Sequence, residues 1–233
     1  SSSEVTSGSA FWDMDKKQSV GIKSSFMFPN VALVDPDLTM TMSKNLAANT
    51  GMDAFTSAFE SYWSTEAQPL SDLLHLEVIQ LFSEHLEASC NEVDKQSRSA
   101  CALASTLSGI GYSNSRPNVC HAVGSPLTLF WNVAHGQSVG LTLTTFLRSQ
   151  AEAISPKLPQ LWEAMNVSGL EEAIQRLTDI MQACGLQTRL SGLGITEPDL
   201  DTLIDNINWD RLDTLPKSIG KGTAGPLLRR LLG

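Results

Sequence analysis

The chain has 233 residues, enough for one or two domains, and 42% of them are apolar, so it can bury a substantial core. Its formal net charge is −9, from 16 basic and 25 acidic residues, and no basic run exceeds the pairs Lys16-Lys17 and Arg229-Arg230. That balance argues against nucleic acid or an anionic membrane as partner, and no apolar run approaches the roughly 18 to 20 residues of a membrane span.

Nothing reads as a signal peptide. Cys90, Cys101, Cys120 and Cys184 are scattered without a CxxC pair, which fits reduced cytosolic thiols and a cytoplasmic location. Asn166-Val167-Ser168 matches a glycosylation sequon, which without secretion is a chance match.

Residues 1–30 are rich in Ser and Gly. Val31-Ala32-Leu33-Val34, closed by Asp35-Pro36, reads as one buried strand of parallel type ending in a turn. Such a strand needs neighbours on both sides, and nothing later supplies them. Residues 1–41 are therefore expected to be a remnant of a parallel sheet domain whose start is absent.

From residue 42 the pattern turns helical. Met52, Phe55, Phe59 and Tyr62 recur at helix spacing. Leu70, Leu74, Val78, Leu81 and Leu86 follow with Ser71 as cap candidate. His75 and His85 fall on polar-to-mixed faces of that helix and read as surface residues. Leu170, Ala173, Ile174, Leu177, Met181 and Cys184 define another helix, with Gly185 as its stop. Thr196-Glu197-Pro198-Asp199 resembles a capping box for one more. The sequence thus predicts a mainly α, multihelical domain over residues 42–233.

Two short motifs carry weak signals. Gly220-Lys221-Gly222-Thr223-Ala224-Gly225 matches GxGxxG, but a dinucleotide fingerprint needs an acidic residue about 20 positions on and only eight residues follow, so a flexible loop is the better reading. Gly136-Gln137-Ser138-Val139-Gly140 matches the GxSxG elbow of serine hydrolases, with Ser138 as nucleophile. A triad of that kind needs a later histidine, and the four histidines, at 75, 85, 121 and 135, all precede Ser138.

His121 and His135 are candidate metal ligands, since neutral imidazole commonly binds transition metals. Asp53, Ser57 and Glu60 share a helix face away from the aromatic one, and a carboxylate there needs a buried partner, for which a cation is one candidate. On spacing alone, core histidines with satisfied hydrogen bonds are the usual alternative.

Several segments together resemble the iron-containing (group III) alcohol dehydrogenases. Ser1-Ser2-Ser3-Glu4-Val5-Thr6 resembles that family's TGSEVT turn, and Phe28-Pro29-Asn30-Val31-Ala32-Leu33-Val34-Asp35-Pro36-Asp37-Leu38-Thr39 its strand and DPxLT exit. Asn49-Thr50-Gly51-Met52-Asp53-Ala54 through Glu60-Ser61-Tyr62 resembles TGxDAxxHAxE. Cys120-His121-Ala122 and Ala134-His135-Gly136 are similar to its ligand segments, with the family's spacing between them. Ser2, Phe11-Trp12-Asp13 and the Ser113-Asn114-Ser115 to His121 segment are similar to phosphonoacetaldehyde-reductase-like members. The likeness covers most of residues 1–147.

The resemblance implies the multihelical C-terminal domain of a dehydroquinate-synthase-like two-domain enzyme, preceded by a remnant of the α/β domain that binds NAD or NADP. It implies an alcohol dehydrogenase or aldehyde reductase acting on small-molecule substrates, with one Fe²⁺ or Zn²⁺ polarising the substrate oxygen. Carried over residue by residue, the metal ligands are Asp53, His121 and His135, and Thr6 lies beside the cofactor. Dimers are common in the family; the sequence itself shows none. Three positions depart from the pattern. Ser57 stands where the family has a further histidine ligand, Ser19 where it has a cofactor-contacting lysine (Lys17 is close by), and Ser125 where a second histidine is frequent. The expectation is a fragment lacking most of the cofactor domain and inactive alone; a helical remnant without metal is the further alternative.

Overall fold

The structure is a computed structural model that describes residues 2–233. It opens with a β-hairpin, β1 (Gly8–Asp13) and β2 (Gln18–Lys23), paired antiparallel with Asp13 opposite Gln18 and Gly8 opposite Lys23. The Asp13 carboxylate accepts the Lys16 N–H in the turn, and Lys17 takes the left-handed conformation there. Within residues 1–41 the described strands form this antiparallel hairpin and no parallel pair.

The strand expected at Val31–Val34 is corrected. The segment is not in a strand, and Val31 and Leu33 are 83% and 89% exposed. Its β-branched composition suits a strand, but the ladder needs a neighbour and none of the described residues pairs with it. Instead Asp35 caps a 3-10 turn, Pro36–Thr39. That turn is tied to the helices by the fully buried Arg98, which donates to the carbonyls of Thr39 and Met42, and by the Lys95–Asp37 ion pair.

Helices follow from residue 44: α1 (Lys44–Trp63), α2 (Pro69–Asn91), α3 (Lys95–Tyr112), α4 (Val119–Trp131) and α5 (His135–Gln150). After them come α6 (Leu158–Met165), α7 (Leu170–Ala183), α8 (Asp199–Asp205) and α9 (Lys221–Arg229). No strand follows residue 60 among the described residues. The core is one cluster in which Phe55, Phe59 and Phe82 stack with centroids 5.2 and 5.6 Å apart.

Helix α1 is the hub, packed against α2, α3 and α5, and buried on nearly every face from Gly51 onward. A helix so enclosed can keep polar groups only if each finds a partner.

The helix ends follow capping chemistry. Gly185 (φ +81°) ends α7, as read from the sequence. Thr196 N–H and hydroxyl both bond the Asp199 carboxylate ahead of α8. Helix α2 starts at Pro69, two residues before the cap candidate Ser71, whose hydroxyl accepts the Gln68 N–H from the third helical position. The GxGxxG segment is not a loop: it opens α9, with the Thr223 hydroxyl accepting the Gly220 N–H.

His75, expected at the surface, is wholly buried. Its Nε2 lies 3.2 Å from the Ser115 hydroxyl, and its ring fills the space a side chain at Gly111 would take. Burial lowers its pKa to about 4, so it is neutral. His85 is half-buried.

Helix α5 approaches α1 most closely at Gly136, where an added Cβ would lie 1.7 Å from the Asn49 carbonyl oxygen. Gly136→Ala is expected to force the start of α5 off α1 and to lower stability by about 1–3 kcal/mol. A urea midpoint indistinguishable from the parent's would contradict that fit.

Candidate metal centre

Helix α1 turns one polar stripe, Asn49, Asp53, Ser57 and Glu60, towards the first turns of α4 and α5. These positions step by four, four and three residues and so lie above one another.

Glu60 is fully buried at the start of α4. Its carboxylate accepts the backbone N–H groups of Asn118 (3.1 Å) and Cys120, donors that a helix start leaves without intrahelical partners. The other carboxylate oxygen bonds Nδ1 of His121, in the first turn of α4. Asn118 caps the same helix through Val119 N–H and also accepts from the Trp63 indole.

Asn49 does the corresponding work for α5: its Oδ1 accepts the Gln137 N–H at 2.9 Å. His135 is the first residue of that helix.

Two helix starts are thereby docked on α1, and each presents a histidine to the carboxylate between them. His121 Nε2 lies 3.4 Å and His135 Nε2 3.6 Å from Asp53 Oδ1. Ser57 Oγ lies 3.4 Å from His121 Nε2. Ligand atoms of Asp53, His121 and His135 all fall within 4.8 Å of one another, and the described residues hold no other such group. Trp12 from the hairpin lies against the His135 ring, with centroids 5.3 Å apart.

The electrostatics divide the two histidines. Burial works against charge on His121, but the Glu60 and Asp53 carboxylates outweigh it and raise its pKa to about 9. Burial dominates at His135 and, helped by the His121 and Arg211 charges, lowers it to about 4 despite Asp53. Burial alone would raise the Asp53 pKa; the hydrogen bond from His121 and the charge of both imidazoles hold it below the usual carboxylate range.

The group fits a metal ion. Donors on a tetrahedral Zn²⁺ or Fe²⁺ with bonds of about 2.1 Å lie about 3.4 Å apart, close to the 3.4 and 3.6 Å that separate Asp53 from the two imidazoles. Glu60 on Nδ1 of His121 fixes the tautomer that leaves Nε2 free to bind, the usual outer partner of a ligating histidine. His135 Nδ1 has no such partner and is buried.

These side chains line a cavity of about 660 Å³ that also takes in Thr6, Trp12, Tyr112 and Arg211. Burial and Asp53 raise the Tyr112 pKa to about 12. Ser138 is not an elbow nucleophile: it is buried in the first turn of α5, no strand precedes it, and its hydroxyl donates to the His135 carbonyl at 2.7 Å.

Residues 47–218 match the profile of the Fe-containing alcohol dehydrogenase family, C-terminal part. This chain belongs to the iron-containing alcohol dehydrogenase family. It is 31% identical over 201 residues to long-chain-alcohol dehydrogenase 1 of Geobacillus thermodenitrificans, covering 82% of this chain and 51% of that protein. It is 27% identical to the NADPH-dependent butanol dehydrogenase of Clostridium saccharobutylicum, covering 98% and 58%. The crystal structure of sulfoacetaldehyde reductase from Bifidobacterium kashiwanohense in complex with NAD+ superposes with a TM-score of 0.92, at 26% identity, over 98% of this chain and 61% of that one. The chain thus spans between about half and three fifths of these relatives. Among the described residues no helix is long and apolar enough to cross a membrane.

Sequence reasoning picked out Asp53, His121, His135 and Ser57, and all four meet. It placed Glu60 on the right face without giving it a task. The signal was a carboxylate seven residues from Asp53 on a helix otherwise apolar, which had to find a buried donor.

In the metal-free chain His121 is expected to stay protonated up to pH about 9, while His135 is neutral above about 4. A ¹⁵N NMR titration of the ring nitrogens reads both; two rings titrating together near 6.5 would contradict this electrostatic arrangement.

Proposed function

We propose that this chain holds the metal of an NAD(P)-dependent alcohol dehydrogenase or aldehyde reductase, with one Fe²⁺ or Zn²⁺ between Asp53, His121 and His135. The observation that carries the reading is the donor spacing, 3.4 and 3.6 Å from one carboxylate oxygen to two imidazoles that face it with Nε2. An ion held by Asp53, His121 and His135 would supply Lewis-acid polarisation of an alcohol or aldehyde oxygen, and a nicotinamide would supply the hydride chemistry.

The chain's own residues do the positioning. Glu60 keeps Nε2 of His121 aimed at Asp53, and Asn49 holds the start of α5 so that His135 closes the set. Trp12 covers His135 on its hairpin side, and Ser57 leaves the fourth place to water or substrate. Thr6, buried in the cavity wall, is our assignment for a cofactor contact.

In this reading residues 42–233 are the metal-binding domain and residues 1–41 belong with the cofactor domain. The relatives support NADPH in one case and NAD+ in another, and their substrates range from butanol to lactaldehyde, so family membership leaves substrate class open.

At pH 7 the apo chain carries a proton on His121, so a metal ion must displace it. Zinc titration calorimetry in buffers of different ionisation heat is expected to show one ion bound and about one proton released. Apparent affinity should fall about tenfold per pH unit on acidification from 8 to 6.5. Asp53→Asn should abolish tight binding. Ser57→His, one turn along the helix from Asp53, should tighten it by at least about tenfold. Unchanged or weaker binding by the histidine variant, without proton release in the parent, would favour the rival reading of a site that has lost its metal.

A further inference from the structure

We propose that Arg211 makes this site selective for substrates carrying an anionic group, so that the aldehyde or alcohol handled here bears a sulfonate, phosphonate or carboxylate. The inference rests on the reading of the site as an alcohol dehydrogenase centre.

The first observation is charge. The chain as a whole is acidic, with 25 acidic residues against 16 basic. The lining of the metal-site cavity inverts that balance: Lys23, Arg116 and Arg211 stand against a single carboxylate, Asp53. Asp53 in turn faces two imidazoles and is committed to them or to an ion. With Arg116 paired to Glu66 and Asp213, the cations left to an anion entering this cavity are Lys23 and Arg211.

The second observation is which cation is available. Arg116 is fully engaged: it binds Glu66 through two nitrogens at 3.0 and 2.8 Å and reaches Asp213 at 3.4 Å. Arg211 makes no side-chain hydrogen bond or ion pair among the described residues, yet its charge is felt at His135. Arg211 is exposed on the cavity lining, so its donors are open to a ligand. A planar or tetrahedral oxyanion can accept those forked donors.

The third observation is that Arg211 is held in place. It sits on a 3-10 turn, Trp209–Leu212, that packs on α4. On one side Asn208 caps the turn through Asp210 N–H; on the other Leu212 is buried, and Thr214 accepts the Thr65 N–H and lies within 3.4 Å of the Asn118 amide. Asn118 caps the helix that carries His121, so the anion-receiving and oxygen-binding ends of the cavity share one support.

The same guanidinium chemistry could serve a dinucleotide phosphate instead, and the test separates the two. NMR-monitored titrations of the full chain, with and without zinc, would use ethanesulfonate, 2-hydroxyethanesulfonate, 1-propanol and NAD+. Ethanesulfonate is expected to bind with or without zinc, and Arg211→Gln to weaken it at least tenfold, with Arg211→Lys recovering part of the loss. Zinc is expected to tighten 2-hydroxyethanesulfonate but not ethanesulfonate, and 1-propanol should not respond to either substitution. Equal sulfonate affinity in parent and Arg211→Gln would overturn the proposal, as would a loss confined to NAD+. If zinc fails to bind, the metal reading falls, and the zinc-free ethanesulfonate arm still decides the role of Arg211.

Discussion

The arrangement depends on a buried carboxylate that serves two masters. Glu60, with no access to solvent, satisfies the open N–H groups at the start of α4 and at the same time bonds the His121 ring. An ionised group so deep is tolerated only when its lone pairs are taken up. Here the partners are a helix start and an imidazole held charged by the carboxylates on either side of it. Remove that carboxylate and both the docking of α4 on α1 and the aim of His121 lose their anchor.

The rest of the site repeats the device with weaker groups. Asn49 docks α5 as Glu60 docks α4, and the close approach it requires is possible because residue 136 is glycine. Between the two anchors Asp53 receives both histidines. One helix face therefore encodes the site: two positions fasten neighbouring helix starts, and the positions between them face what those helices bring. The strain of burying polar groups in the hub is offset because each group organises a helix end that would otherwise be unsatisfied. The cavity beyond inherits its charge from the same construction, since the acids close to it are consumed in pairing.

Much of this was legible in the sequence, for identifiable reasons. The aromatic spacing of α1 and the Gly185 stop of α7 are local signals that tertiary context did not override. Asp53, His121 and His135 stood out through the spacing of family motifs, and their convergence is what one ligand shared by distant elements requires. Elsewhere the local signal pointed the wrong way. Val31–Val34 has strand composition, but a strand exists only with a partner. The β2 residues Gln18–Lys23 are exposed throughout, so the hairpin has no buried face on this strand. His75 is buried because the absence of a side chain at Gly111, 36 positions away, makes room for its ring, which no local signal shows. The glycines at 220–225 concealed a helix start that a threonine hydroxyl completes. Arg211 carried no motif at all; its relation to the site lies wholly in the packing of a turn against α4.

The central claim is that three side chains brought together by α1 hold a single ion. X-ray absorption at the zinc edge on the loaded chain tests it most directly. The account predicts one site with two imidazole nitrogens and one or two oxygens at about 2.0–2.2 Å, and loss of the imidazole scattering when His121 and His135 are both replaced by alanine. A spectrum with sulfur neighbours, or one unchanged by that double substitution, would contradict it.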